Sequence, residues 1–310
     1  MSELEPINQK KLFGLDKYLN ELISLYTDGA YPIKILLSGQ KGLGKSTLAY
    51  HFINYVLSKD EVNNYDKNNF QINPNSSTFR TILNRSNPNL IIIDVNSDKK
   101  LIDVKQIRDL IQNLNKSSFN IKPRFVLIDN IEFLNKNSIN ALLKLVEEPN
   151  HNVHFILINN NKKILPTLLS RCINYKISLT NKECLTIADN LLEGNLKDLI
   201  NEDLLNYYMT PGKIYHLLKF AEFNKYNLFD FDLKKFLKII IRENHYKNDP
   251  FIKYMVFDFI EFYFRKLNLS FSNKINQKYS YYLKRISDTK TFNLDEDSLF
   301  MEFDEEVLNG

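Results

Sequence analysis

The chain has 310 residues and a formal net charge of +4, from 41 basic and 37 acidic side chains, with a pI near 8.7. Its length exceeds what a single core usually serves and predicts two or three domains. Cys172 and Cys184 are the only cysteines, which excludes a disulfide framework and a four-cysteine zinc site and leaves both as reduced thiols. No apolar run approaches the ~18 residues of a membrane span, and Met1 to Pro6 lacks the basic and apolar blocks of a secretion signal. A cytoplasmic protein with no membrane partner is therefore expected. The basic balance permits nucleic-acid contact without arguing for it, since lysine, asparagine and isoleucine are abundant together, as an AT-rich genome makes them.

Leu12 to Leu15, then Leu19, Leu22, Ile23 and Tyr26 at helical spacing, predict a first helix that stops near Asp28 and Gly29. Its start is expected near where a nucleotide base could be held. The apolar run from Ile33 ends at Gly39, and Gly39, Gly44, Lys45 and Ser46 then fill every fixed position of the phosphate-loop pattern. Leu48, Ala49, Phe52, Ile53, Val56 and Leu57 follow at helical spacing, so the glycine-rich turn joins a buried strand to an amphipathic helix. Glycine lets the backbone curl until successive amide N–H groups face one anion, and the helix N-terminus adds its favourable dipole end. Lys45 can reach the outer phosphates and Ser46 can offer a hydroxyl to magnesium. The pattern predicts ATP or ADP with Mg²⁺, held through Gly39, Gly42, Gly44, Lys45, Ser46 and Thr47. Residues 58 to 78, rich in asparagine and poor in apolar anchors, read as a mobile connection.

Further strands are predicted at Leu90 to Asp94, Phe125 to Asp129 and Phe155 to Ile158. Val104, Ile107, Leu110, Ile111 and Leu114 trace one intervening helix, and Ile139, Leu142, Leu143 and Val146 another that Pro149 should terminate. Strands alternating with helices predict an α/β domain with a parallel sheet covered on both faces. Asp129, at a strand end, is placed to face the magnesium ion together with Ser46. The next residue, where many such ATPases carry a glutamate, is Asn130, and an amide cannot take a proton from water. Glu132 lies nearby but would point elsewhere if the chain stayed extended.

Val126 to Asn130, Asn135 to Pro149 with its Asn-Ala-Leu-Leu-Lys and Glu-Glu-Pro, and Leu165 to Cys172 with its Ser-Arg-Cys at the family's interval together carry a resemblance. Over residues 10 to 178 the chain resembles the bacterial DNA polymerase III clamp-loader subunits of the AAA+ superfamily, the delta-prime type among them. The resemblance implies an AAA+ nucleotide-binding domain at 1–178, a helical lid at 179–225 and an all-α C-terminal collar domain at 226–310. It also implies a hetero-oligomeric ring with gamma/tau and delta types of subunit, a sliding clamp as partner, and primed DNA met through the complex.

The same resemblance makes Arg171 an arginine finger acting in trans on a neighbour's nucleotide. It makes Asn159 the γ-phosphate sensor, with Asn160 as the alternative. The chain departs from the family in lacking zinc cysteines after the phosphate-loop helix, so no zinc is expected. Where related lids offer an arginine, this chain has Pro211 and Gly212, with Lys213 adjacent. With Asn130, these departures favour a binding and stator subunit of weak or absent ATPase activity over the ATP-hydrolysing motor subunit of the same loader. A small-molecule kinase would leave Ser170 to Cys172 and the helical C-terminal third unexplained. The many Phe and Tyr residues of that third read as core rather than a base-stacking surface.

Overall fold

Short runs of branched apolar residues suit strands of a sheet covered on both faces, and four such runs here become neighbouring parallel strands. The computed structural model describes residues 4–96, 99–116, 120–147, 152–267, 273–292 and 294–309, with backbone alone for 273–276. The chain divides into two compact units, Met1–Leu191 with Thr210–Gly212, and Leu192–Met209 with Lys213–Gly310.

In the first unit α1 (Asp16–Thr27) leads to β1 (Lys34–Ser38) and α2 (Lys45–Leu57). There follow α3 (Ser77–Leu83), β2 (Leu90–Ile93), α4 (Val104–Leu114), β3 (Arg124–Ile128), α5 (Lys136–Glu147), β4 (Val153–Asn159), α6 (Pro166–Leu169), β5 (Ile173–Lys176) and α7 (Asn181–Leu192). The strands form one sheet in the order β2-β3-β4-β1-β5, all parallel. Parallel pairing brings every carboxyl end to the same edge, where α/β proteins place their ligands. Ser38 stands opposite Asn159 there, and the amide of Asp129 donates to the Ile93 carbonyl at 2.9 Å. Beneath that edge Leu36, Val126, Ile128, Phe155 and Leu157 pack with Ile107, Leu110, Leu142 and Val146 of the covering helices. The expected stop of α5 at Pro149 lies outside the described residues.

The asparagine-rich segment after α2 is folded, contrary to the mobile connection expected. Glu61 accepts hydrogen bonds from Ser76, Ser77 and Thr78 at the start of α3, through both hydroxyls and amides. Asp66 bridges to Gln71, while Leu12 donates to Phe70 O and Ile72 to Lys10 O. Behind them His51 of α2, fully buried, bonds Tyr65 Oη at 2.9 Å and Gln9 O at 3.1 Å. Polar residues acting as caps and turn locks thus replace the apolar anchors whose scarcity suggested mobility.

The second unit holds α8 (Leu196–Leu199), α9 (Glu202–Leu205), α10 (Pro211–Asn224, from Lys213 onward), α11 (Leu233–Arg242), α12 (His245–Asn248), α13 (Pro250–Leu267), α14 (Asn273–Phe292) and α15 (Glu296–Phe303). Much of its aromatic content is core, with Phe236, Phe259, Phe264, Tyr282, Phe300 and Phe303 all buried, while Phe223, Phe229, Tyr254 and Phe292 are exposed. Among the described residues no helix is long and apolar enough to cross a membrane.

Candidate functional site

Gly39 follows directly on β1, and the loop curls through Gly42 and Gly44, whose φ angles of 87° and 83° a side chain would strain. Gly44 caps α2, so the helix opens on Lys45, Ser46 and Thr47 with its first amides pointing back into the loop. Lys45 is 3% exposed, and its Nζ donates to Gly39 O at 3.0 Å, Gln40 O at 2.7 Å and Asn160 Oδ1 at 2.8 Å. Burial pulls its ammonium down to about 8, against the upward pull of Asp129 and Glu132. Ser46 Oγ donates to Asp129 Oδ2. Burial raises the Asp129 carboxyl above the ordinary carboxylate range, with the Ser46 bond working the other way. Thr47 sits half-buried on the same turn.

Beyond Asp129 the chain does not stay extended. Asn130 takes a left-handed conformation, φ 55° and ψ 47°, and turns the backbone into a short 3₁₀ turn, Ile131–Phe133. Glu132 therefore comes back toward the loop, where Oε1 accepts from Asn160 Nδ2 at 2.9 Å and Oε2 from the Asn160 amide at 3.4 Å. The Asn130 side chain donates to Asp94 Oδ1 and accepts from Asn160 Nδ2, both at 2.8 Å. A continuous polar chain thus runs from Asp94 through Asn130 and Asn160 to Lys45.

Asn159 does not join it. Its Nδ2 donates to Lys162 O at 3.0 Å and its Oδ1 accepts from the Lys162 amide at 3.3 Å, so it locks the turn after β4 and aims Asn160 at the site. Of the two asparagines, Asn160 is the one that reaches Lys45. Asp94 was missed from sequence, although it follows its apolar strand just as Asp129 does, and parallel pairing necessarily brings both to one edge.

Arg171 lies beyond α6. It donates to Thr167 O at 2.8 Å and to Glu147 Oε1 at 2.7 Å, with the two charged side chains 35% and 48% exposed. An ion pair so open to water contributes about 0–1 kcal/mol, so little holds the guanidinium to Glu147. Lys213, next to Gly212, pairs with Asp258 at 3.3 Å.

A lysine and a hydroxyl at the mouth of a glycine-rich turn, facing a carboxylate at the end of β3 across β4, define a phosphate-loop α/β domain. The family profile described as DNA polymerase III, delta subunit, matches residues 14–181, more than half of the sequence, and the chain belongs to that family. It is 31% identical over 236 residues to the DNA polymerase III subunit gamma of Buchnera aphidicola subsp. Schizaphis graminum, a match covering 67% of this chain and 60% of that protein. It is also 31% identical over 152 residues to the subunit delta' of Buchnera aphidicola subsp. Baizongia pistaciae, covering 46% of this chain and 45% of that one. The matched stretch thus spans less than two thirds of either relative. Among solved structures, a DNA polymerase III gamma subunit-related protein of Thermotoga maritima aligns over 93% of this chain and 95% of its own, at 17% identity and a TM-score of 0.47.

Proposed function

We propose that the chain is a clamp-loader subunit of the delta-prime type, which binds ATP or ADP with Mg²⁺ and helps a multi-subunit loader place a sliding clamp on primed DNA in the cytoplasm. The residues fit the cation: Ser46 Oγ and the buried Asp129 carboxylate, already in contact, are the oxygen donors that Mg²⁺ takes alongside water and phosphate. When bound, the cation supplies charge neutralisation along the phosphates. Gly39, Gly42, Gly44 and Thr47 line the loop, Lys45 is the cation of the protein itself, and Asn160 is the γ-phosphate sensor in preference to Asn159. In this reading residues 1–178 bind nucleotide, 179–225 form a lid and 226–310 a collar that joins gamma/tau and delta types of subunit. Arg171 serves the nucleotide of a neighbouring subunit.

The observation that carries the stator reading is Asn130, held by Asp94 on one side and Asn160 on the other. An amide fixed between two polar partners can orient groups around a γ-phosphate but cannot accept a proton from water. The motor reading rests on a different observation: Glu132 and Asp94 bring two carboxylates beside Asn130, either of which has the chemistry of a base. Calorimetric titration of the purified chain with MgADP, with Lys45→Ala as comparison, tests binding. Heat from the parent and little from the variant supports the assignment, and equal heat from both sinks it. Steady-state ATPase assays on the same material separate stator from motor.

A further inference from the structure

We infer that Thr210 and Gly212 form a latch on the outer face of the phosphate loop and orient the amides that receive phosphate. This rests on the nucleotide-binding reading above and adds positioning residues to it. Thr210 Oγ1 donates to Lys41 O at 2.8 Å, and the Gly212 amide donates to Gly42 O at 3.0 Å. Thr210 is fully buried. In a planar trans peptide the C=O and N–H point in opposite directions. The carbonyls of Lys41 and Gly42 share their peptide planes with the amides of Gly42 and Leu43. Holding those oxygens outward therefore turns the two N–H groups toward the concave side of the loop. A turn with this much glycine has many conformations open to it, and fixing it in advance lowers what binding must otherwise spend on ordering.

The latch uses groups that cost the helix nothing. Pro211 and Gly212 open α10, where the first amides have no partner within the helix, and proline suits the first position. Gly212 is not there for an unusual dihedral, since its φ lies outside the left-handed region. It is there for closeness: an added Cβ would stand 2.7 Å from Gly42 Cα and 3.2 Å from Gly42 O. Those are backbone atoms that cannot step aside, so any side chain at 212 pushes the 210–212 segment off the loop.

The test uses the full chain, with calorimetry against MgADP and against adenosine, which carries no phosphate. Thr210→Val removes the hydroxyl at nearly constant shape, Thr210→Ser keeps it, and Gly212→Ala imposes the clash. Thr210→Val is expected to weaken MgADP about fivefold, the worth of one net hydrogen bond, and Gly212→Ala by at least as much. Adenosine affinity should stay at the parent's value, and Thr210→Ser should restore MgADP binding. Unchanged MgADP affinity in Thr210→Val and Gly212→Ala overturns the latch, as does an equal loss for adenosine and MgADP. Should Gly212→Ala fail to fold, the Thr210 pair decides alone. A parent that binds no MgADP overturns the nucleotide reading and the latch with it, an outcome distinct from a binding parent with unaffected variants.

Discussion

Asn160 Oδ1 accepts a hydrogen bond from Lys45 Nζ at 2.8 Å, while its own Nδ2 donates to Asn130 and Glu132. One amide thus connects the buried Lys45 of the loop to Asn130, the residue after Asp129. Under the proposed nucleotide-binding function, a side chain so placed is expected to respond to the last phosphate more than to the others. Asn160→Ala should weaken MgATP by about tenfold, the scale of a hydrogen bond with a charged partner, while changing MgADP less. Asn159→Ala should leave that ratio near the parent's and instead lower the melting temperature, because it unlocks the turn to Lys162. The reverse pattern in titrations would return the sensing role to Asn159.

Turnover by the chain alone should be slow. Placing a carboxylate with Asn130→Glu supplies a base, worth a factor of about 10² to 10⁴ where the other parts are in place. Asp94 stands 2.8 Å from the Asn130 amide, so that variant sets two carboxylates against each other. The double variant Asp94→Asn, Asn130→Glu exchanges acid and amide and should hydrolyse ATP faster than Asn130→Glu alone. A parent turning over at about 1 to 10 per second would show that Glu132 or Asp94 already does the work.

The four apolar strands and the phosphate loop were legible because burial on both faces leaves an unmistakable run of branched residues. β5 was not, since it lies at the sheet edge with Ile173 60% exposed and Asn174 and Lys176 along it, a pattern without an apolar signal. The asparagines after α2 misled for a related reason. Composition shows that a segment lacks core residues but not that a single acid such as Glu61 will gather the hydroxyls and amides of a helix start. Glu132 and Asn160 depended on two tight turns, at Asn130 and Asn159, that redirect side chains by one or two positions. Thr210 and Gly212 were visible as a helix opening, while their target, Lys41 and Gly42, is far away in sequence and set by the tertiary fold.

Glu61 predicts an acid-sensitive anchor. Burial works to raise its carboxyl, and the bonds from Thr78, Ser76 and Ser77 outweigh that and hold it below the ordinary range. A depressed folded pKa means stability that is present above the unfolded value of about 4.3 and lost as pH falls through the folded value. Glu61→Gln should therefore lower the melting temperature at pH 7, on the scale of a lost helix cap, about 1 kcal/mol. The gap between parent and variant should close as pH drops below about 4. A constant gap in thermal melts across that range would mean the charge is not what holds α3.

His51 acts in a higher window. Burial lowers its imidazole to about 4, with the bond to Gln9 O opposing. The unfolded chain takes up that proton near pH 6.5 and the folded chain does not, so stability is fully present above about 6.5 and declines as pH falls toward 4. His51→Gln can still bond Tyr65 and Gln9 but does not titrate. Its melting temperature should lie below the parent's at pH 8 and fall less steeply between pH 6.5 and 4.5. Parallel curves would assign the acid sensitivity elsewhere.

Arg171 is held by a pair too exposed to matter much for folding, and this makes its proposed service to a neighbouring subunit testable. Its partner Glu147 leaves the guanidinium about a third exposed to water, so releasing it costs about 0–1 kcal/mol. A phosphate of another subunit, matched by the same planar fork of donors, is a stronger attractor than that carboxylate. Arg171→Ala should leave the chain's own melting temperature and MgADP affinity nearly unchanged. In the reconstituted loader it should lower ATP turnover at the adjoining site, where arginine fingers contribute on the order of 10³ to 10⁵ in rate. Glu147→Gln weakens the hold on Arg171 without removing it, so turnover of that complex should equal or exceed the parent's. If Arg171→Ala unfolds the chain or strips its own nucleotide while the loader that does assemble runs at full speed, Arg171 is a structural residue of this subunit, and the pair with Glu147 is its function.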